Sequence, residues 1–161
     1  MDWLDAFLAS STSALNINNT LGSWFPNRRG LKQGNPLSPL LFILIADTLT
    51  RILETANSEK LLEGFDDFSI TRQVLSLHFT DDTLIFLKAD KQYLNTLKFI
   101  LYAYELATGL KINFQKSQFI GLGISDLLGK KLADMLGCQA SRLPIQYLGL
   151  PLDYTTPRNK D

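Results

Sequence analysis

Two adjacent carboxylates, Asp81 and Asp82, stand between two β-prone runs, Val74 to Phe79 and Thr83 to Leu87. Neighbouring acids at a hairpin tip repel each other unless a cation sits against them, and hard oxygen ligands at a tight turn suit Mg²⁺. Two such ions bridged by carboxylates can activate a hydroxyl and hold a leaving phosphate. Taken singly, the pair reads first as an ordinary solvated turn, because Asp is a common turn residue. A second acid pair, Asp66-Asp67, has Glu63 and Gly64 before it and Ser69 soon after, so it reads as loop. A third stretch with chemical potential is residues 28–39, Arg28-Arg29-Gly30-Leu31-Lys32-Gln33-Gly34-Asn35-Pro36-Leu37-Ser38-Pro39. Glycines let backbone approach a ligand, bases meet phosphate, and a helix start favours anions. By itself it is equally a basic connecting loop.

The elements that must position these groups follow from the pattern. Ser11 to Ile17 and Gly22 to Phe25 read as short strands of a hairpin around Asn18-Asn19-Thr20-Leu21. Ser38-Pro39 predicts a helix start, with a serine cap and a proline whose missing amide costs nothing there, and the helix should run to about Ala56. Its Leu40, Leu41, Leu44, Ile45, Leu49, Ile52 and Leu53 leave few polar faces, so most of it should be buried. The acid pair should centre a four-residue turn in a second hairpin. Asp90 should cap a helix from Lys91 to Thr108, stopped by Gly109. Lys111 to Phe114 should pair with Gln118 to Ile120, Ser125 should cap a short amphipathic helix, and Pro144 to Leu152 should be extended. Strands and helices mix without a repeat or linker, which indicates a single α+β domain.

Composition narrows the class. With 161 residues, 45% hydrophobic and 20% charged, the chain has the core-forming side chains that a disordered tail lacks. The longest apolar run, Leu40 to Ala46, is far short of the roughly 20 residues of a membrane span, so no membrane partner is expected. Acids at Asp2 and Asp5, where a secretory signal carries bases, and the lone Cys138 fit a reducing, intracellular setting. Net charge is zero, against bulk electrostatic gripping of nucleic acid, but it is unevenly spread: residues 47–90 carry −5 and residues 91–160 carry +5. An acidic middle beside a basic second half could be a cation site next to a phosphate-tracking surface, although solvated helix faces give the same pattern. His78 should face solvent or a neighbouring chain. Cys138 reads as a small buried residue, and Trp3, Trp24 and Phe25 as core or exposed interface rather than base-stacking platforms.

Together these segments resemble the reverse transcriptases of LINE-type (non-LTR) retrotransposons, plant members included. Residues 28–39 look like motif B, and Phe79-Thr80-Asp81-Asp82, residues 79–82, resemble motif C. Gly109-Leu110-Lys111-Ile112-Asn113-Phe114-Gln115-Lys116-Ser117, residues 109–117, is similar to motif D. Tyr147-Leu148-Gly149-Leu150-Pro151-Leu152, residues 147–152, looks like the primer-grip motif E, preceded by Leu136-Gly137-Cys138 where plant members carry a similar phrase. Four motifs in the right order are far more specific than any one.

The resemblance implies a partial polymerase palm over residues 1–161, a ferredoxin-like sheet with packed helices, with fingers and thumb mostly absent. Asp81 would serve two Mg²⁺ ions with Asp82 in support. Gln33, Gly34 and Thr80 would lie near nucleotide and template, and Arg29 or Lys32 near phosphates. Lys116, or Lys111 close by, would protonate departing pyrophosphate. Tyr147, Leu148 and Gly149 would hold the primer end. The implied partners are RNA template, DNA primer and dNTP. The family's motif A aspartate, which precedes motif B, has no counterpart, since Asp2 and Asp5 lack its surroundings. The chain alone is therefore expected to be inactive. Asn35 replaces the usual aspartate of motif B with mild effect, and Thr80 replaces the usual alanine of motif C with a bulkier, stiffer side chain. The alternatives are a non-catalytic remnant that binds nucleic acid weakly, or a protein-interaction module using helix 91–108.

Overall fold

The computed structural model describes residues 6, 10–27, 34–65, 74–80 and 82–153. The first hairpin forms in two tiers rather than as two continuous strands. β1 (Thr12–Ser13) pairs with β4 (Phe25–Pro26), and β2 (Asn16–Ile17) pairs with β3 (Thr20–Leu21). Asn18 and Asn19 make the two-residue turn at φ of 50° and 62°. Asn tolerates this left-handed region, which matches the twist of the strands. Trp24 and Phe25 are exposed, so they lie outside the core.

Helix α1 (Leu37–Ser58) begins earlier than Ser38-Pro39 predicts. Its first free amide, that of Leu37, donates to Asn35 Oδ1 at 3.0 Å, so the capping oxygen comes from Asn35 and not from Ser38. Inside the helix Thr48 and Thr55 hydroxyls donate to the carbonyls of Leu44 and Arg51, and Arg51 pairs with Asp47 one turn earlier. The chain leaves the helix at Lys60, in the left-handed region at φ 58°. The expected burial of most of α1 does not hold: Leu49, Leu53 and Ala56 are buried, while Leu40, Ile43 and Leu44 are exposed. The core residues of α1 lie from Ile45 onward, at Ile45, Leu49, Leu53 and Ala56, and apolar side chains run round the helix beyond that one stripe.

β5 (Ser76–Phe79) and β6 (Asp82–Ile85) form the second hairpin. Helix α2 (Lys91–Thr108) follows, with the Asp90 carboxylate accepting the Gln92 amide at 2.6 Å and Gly109 ending it at φ 74°. Both ends match expectation because their signals are local. β7 (Gln118–Ile120), α3 (Asp126–Leu136) and β8 (Gln139–Ser141) make one further unit. β7 pairs in parallel with β8, not with Lys111 to Phe114, which is irregular and ends in a turn. A parallel partner needs a crossover, and α3 supplies it. Ser125 caps α3 as expected, and the Lys98 ammonium on α2 donates to the Met135 carbonyl at 2.5 Å, satisfying the last turn of α3.

The core lies between α1 and α2, closed by α3. Leu53 and Leu62 are fully enclosed, among Leu49, Leu94, Leu97, Leu101, Tyr104 and Leu132. Burying one such leucine contributes roughly 2 kcal/mol. The Tyr104 hydroxyl donates to the Ile45 carbonyl at 3.1 Å and ties the two long helices together. At the carboxyl end β9 (Ile145–Tyr147) and β10 (Leu150–Leu152) form a hairpin, where the sequence predicts simple extended chain. Among the described residues the strands stand as five two-stranded pairs in a mixed α and β chain, and no helix is long and apolar enough to cross a membrane.

Candidate functional site

The β5–β6 register pairs Ser76 with Ile85, Leu77 with Leu84, His78 with Thr83 and Phe79 with Asp82. The Phe79–Asp82 pair closes the ladder, so Asp82 is the first residue of β6 and belongs to the strand, not to a four-residue turn centred on the acid pair. Thr80 sits at φ 49°, a left-handed conformation that a β-branched residue adopts only under constraint. Asp81 lies outside the described residues, as do Arg29, Lys32 and Gln33, the acid pair Asp66-Asp67, and Trp3.

Alternation along the strands assigns the two faces. Ser76 and His78 are half-buried on the side of α1, and Ser76 Oγ lies 3.5 Å from Thr50 Oγ1. Leu77 and Phe79 are exposed on the other side, and Asp82, opposite Phe79, shares that open face. His78 does not face solvent: Nδ1 lies 2.9 Å from Thr83 Oγ1, and Nε2 is enclosed with no hydrogen-bond partner among the described residues. That burial lowers its pKa and favours the neutral ring.

A clasp holds the base of the hairpin. The Lys88 amide donates to the Glu63 carbonyl at 2.9 Å, its ammonium reaches both Glu63 carboxylate oxygens at 2.9 and 3.1 Å, and the Tyr93 hydroxyl donates to the same carboxylate at 3.0 Å. The Lys88 hydrogen bond, then that of Tyr93, holds the Glu63 carboxyl below the usual carboxylate range, and the same contacts raise Lys88 and Tyr93. Sequence reasoning missed this clasp, because Glu63 and Lys88 are 25 positions apart with no motif joining them.

The other predicted residues occupy turns. Gly34 has φ 81° with open space where a side chain would stand, directly before the Asn35 cap. Lys116 is exposed in a turn whose amide donates to the Asn113 carbonyl and side chain, and Lys111 is exposed nearby. That loop is fastened to α2 by Glu105, which accepts the Ile112 amide at 2.6 Å. Tyr147 closes β9, half-buried, and Leu148 and Gly149 form the tip at φ 53° and 79°. The structure thus brings the α1 helix and the β5–β6 hairpin into direct contact and fastens the Lys111–Lys116 loop to α2, while the β9–β10 hairpin packs chiefly on itself.

Among the described residues no three His, Cys, Asp or Glu side chains converge on one point. The donor type at the turn nonetheless suits Mg²⁺, which takes one or two carboxylates and completes its shell with water and substrate phosphate oxygens.

A family model described as reverse transcriptase (RNA-dependent DNA polymerase) matches residues 1–152. The chain belongs to the reverse transcriptase family. The likeness read from its four motifs is borne out at that level. Over 122 residues, 76% of the chain, it is 27% identical to the retrovirus-related Pol polyprotein from a type-2 retrotransposable element of Drosophila melanogaster, covering 11% of that protein. Over 55 residues, 34% of the chain, it is 40% identical to an uncharacterized mitochondrial protein of Arabidopsis thaliana, covering 45% of it. This reverse transcriptase segment therefore spans less than half the length of either curated relative.

Proposed function

We propose that the chain is part of the palm of a non-LTR retrotransposon reverse transcriptase, with motifs B, C, D and E at residues 28–39, 79–82, 109–117 and 147–152. The observation that carries this reading is the position of Asp82 at the head of β6, on the hairpin face turned away from α1 and open to a ligand, within a chain matched along residues 1–152 by the reverse transcriptase family. In this reading Asp81 and Asp82 hold Mg²⁺. When bound, the metal neutralises triphosphate charge and lowers the pKa of the primer hydroxyl. Gly34, bare of side chain, lets backbone come close to nucleotide or template. Lys116 offers a proton to departing pyrophosphate, and the Tyr147-Leu148-Gly149 tip orients the primer end. RNA template, DNA primer and dNTP are the partners, in an intracellular setting.

The test is extension of a DNA primer on an RNA template with Mg²⁺, together with binding of the same duplex over a salt series. The chain alone is expected to give no extension, because the motif A carboxylate is missing. Supplying a motif A segment in trans should give extension that Asp81→Ala abolishes. Binding should weaken steeply with salt and survive Asp81→Ala, because phosphate contacts with the basic second half do not use the acid pair. Extension unaffected by Asp81→Ala, or binding indifferent to salt, overturns the reading.

A further inference from the structure

Helix α2 is apolar on two sides. Leu94, Leu97, Leu101 and Tyr104 fill the core. On the opposite side Phe99 is 73% exposed, Tyr102 48% and Leu106 88%. Gln92, Asn95, Phe99, Tyr102 and Leu106 follow one another at steps of three and four residues, the seam by which one helix packs along another. A surface helix ordinarily turns polar residues away from its core. Here no charge stands in the seam itself; of the charges at its border, Lys98 is engaged with the Met135 carbonyl and Glu105 with the Ile112 amide, while Lys91 stands exposed in the first turn, one turn before Asn95.

We propose that this face of α2 pairs two copies of the chain, antiparallel, about a two-fold axis between Tyr102 and Ala103. In that register Phe99 of one copy meets Leu106 of the other, twice, and the small Ala103 lets the helices approach at the crossing. The patch is complementary to itself, as a two-fold contact requires. An uncharged seam on a chain of zero net charge offers nothing to a charged partner and does not repel its own copy. The three large side chains expose about 400 Å² per copy, and their neighbours bring the total buried in a pair to roughly 1,100 Å², the low end of specific interfaces. The dimer is accordingly weak and reversible.

Sedimentation of the full chain over a concentration series should show a monomer passing to a dimer by about 100 μM. Phe99→Lys with Leu106→Lys should raise the dissociation constant about 100-fold with unchanged helical circular dichroism. Leu40→Lys with Leu44→Lys, on the exposed part of α1, should leave it unchanged. In a Cys138→Ser background, Ala103→Cys should form a disulfide-linked dimer on mild oxidation. Gln92→Cys should not, because its two copies lie about 30 Å apart in this register. A chain that stays monomeric, a dimer that survives the α2 pair or is lost with the α1 pair, or preferential linking through position 92 overturns the proposal.

Discussion

The side-chain carbonyl of Asn35 accepts the Leu37 amide at 3.0 Å, so the residue at which the resemblance expects an aspartate is also the one that starts α1. Asn35→Ala removes this acceptor and should cost about 1 kcal/mol in urea unfolding. Asn35→Asp keeps the acceptor and adds a negative charge at the positive end of the helix, so it should be neutral or stabilising by a few tenths of a kcal/mol. Equal loss in both variants would mean that the hydrogen bond does not hold the helix start.

What the sequence made legible depends on how local the governing physics is. Asp90, Gly109, Ser125 and the Asn18-Asn19 turn each act within a few residues, and each stands where its chemistry predicts. The parallel pairing of Gln118 with Gln139 joins residues across a helix, and no periodicity encodes it. The β9–β10 hairpin escaped notice because Leu148 is not a turn-forming residue. The exposure of Leu40 and Leu44 was illegible because apolarity states what a side chain prefers and not what packs on it. The family was legible from four ordered motifs, whereas the Glu63–Lys88–Tyr93 clasp at the hairpin base exists only after folding.

Two leucines of α1 separate burial from composition. Leu53 is 0% exposed and Leu44 is 64% exposed. Leu53→Ala should destabilise by about 2–5 kcal/mol, through lost transfer energy and the cavity left behind. Leu44→Ala should stay within about 0.5 kcal/mol. Chemical denaturation of the two variants checks the difference, and comparable losses would place a partner on the amino-terminal part of α1.

Acid should weaken the fold in two separable windows. Burial depresses the His78 pKa from its ordinary 6.5, so the unfolded chain binds the proton first and stability falls as pH drops from about 6.5 towards the folded value. Glu63, depressed from 4.5 by Lys88 and Tyr93, contributes stability above that pH and loses it as pH falls through its own lowered value. A melting series from pH 7 to pH 3 should therefore lose its upper limb in His78→Gln and part of its lower limb in Glu63→Gln. Salt should shrink the second effect, because the Glu63–Lys88 pair lies at the surface. A His78→Gln profile that matches the parent above pH 5 would remove the buried ring as the cause.

The two hairpin tips proposed to serve nucleotide and primer hold a bulky residue in the left-handed region, Thr80 at φ 49° and Leu148 at φ 53°. Such conformations cost about 1 kcal/mol or more and persist where surrounding structure or function demands them. At the β9–β10 tip, Leu148-Gly149 occupies the two positions for which Asn-Gly is the preferred pair. Leu148→Asn should therefore stabilise the hairpin by roughly 1 kcal/mol, read as slower amide exchange at Tyr147 and Leu150. If Leu148 also touches the primer, the same variant should weaken duplex binding while it strengthens the fold. Opposite changes in these two measurements would identify the leucine as kept for contact. A gain in exchange protection with binding unchanged would leave the tip without a role in holding the primer.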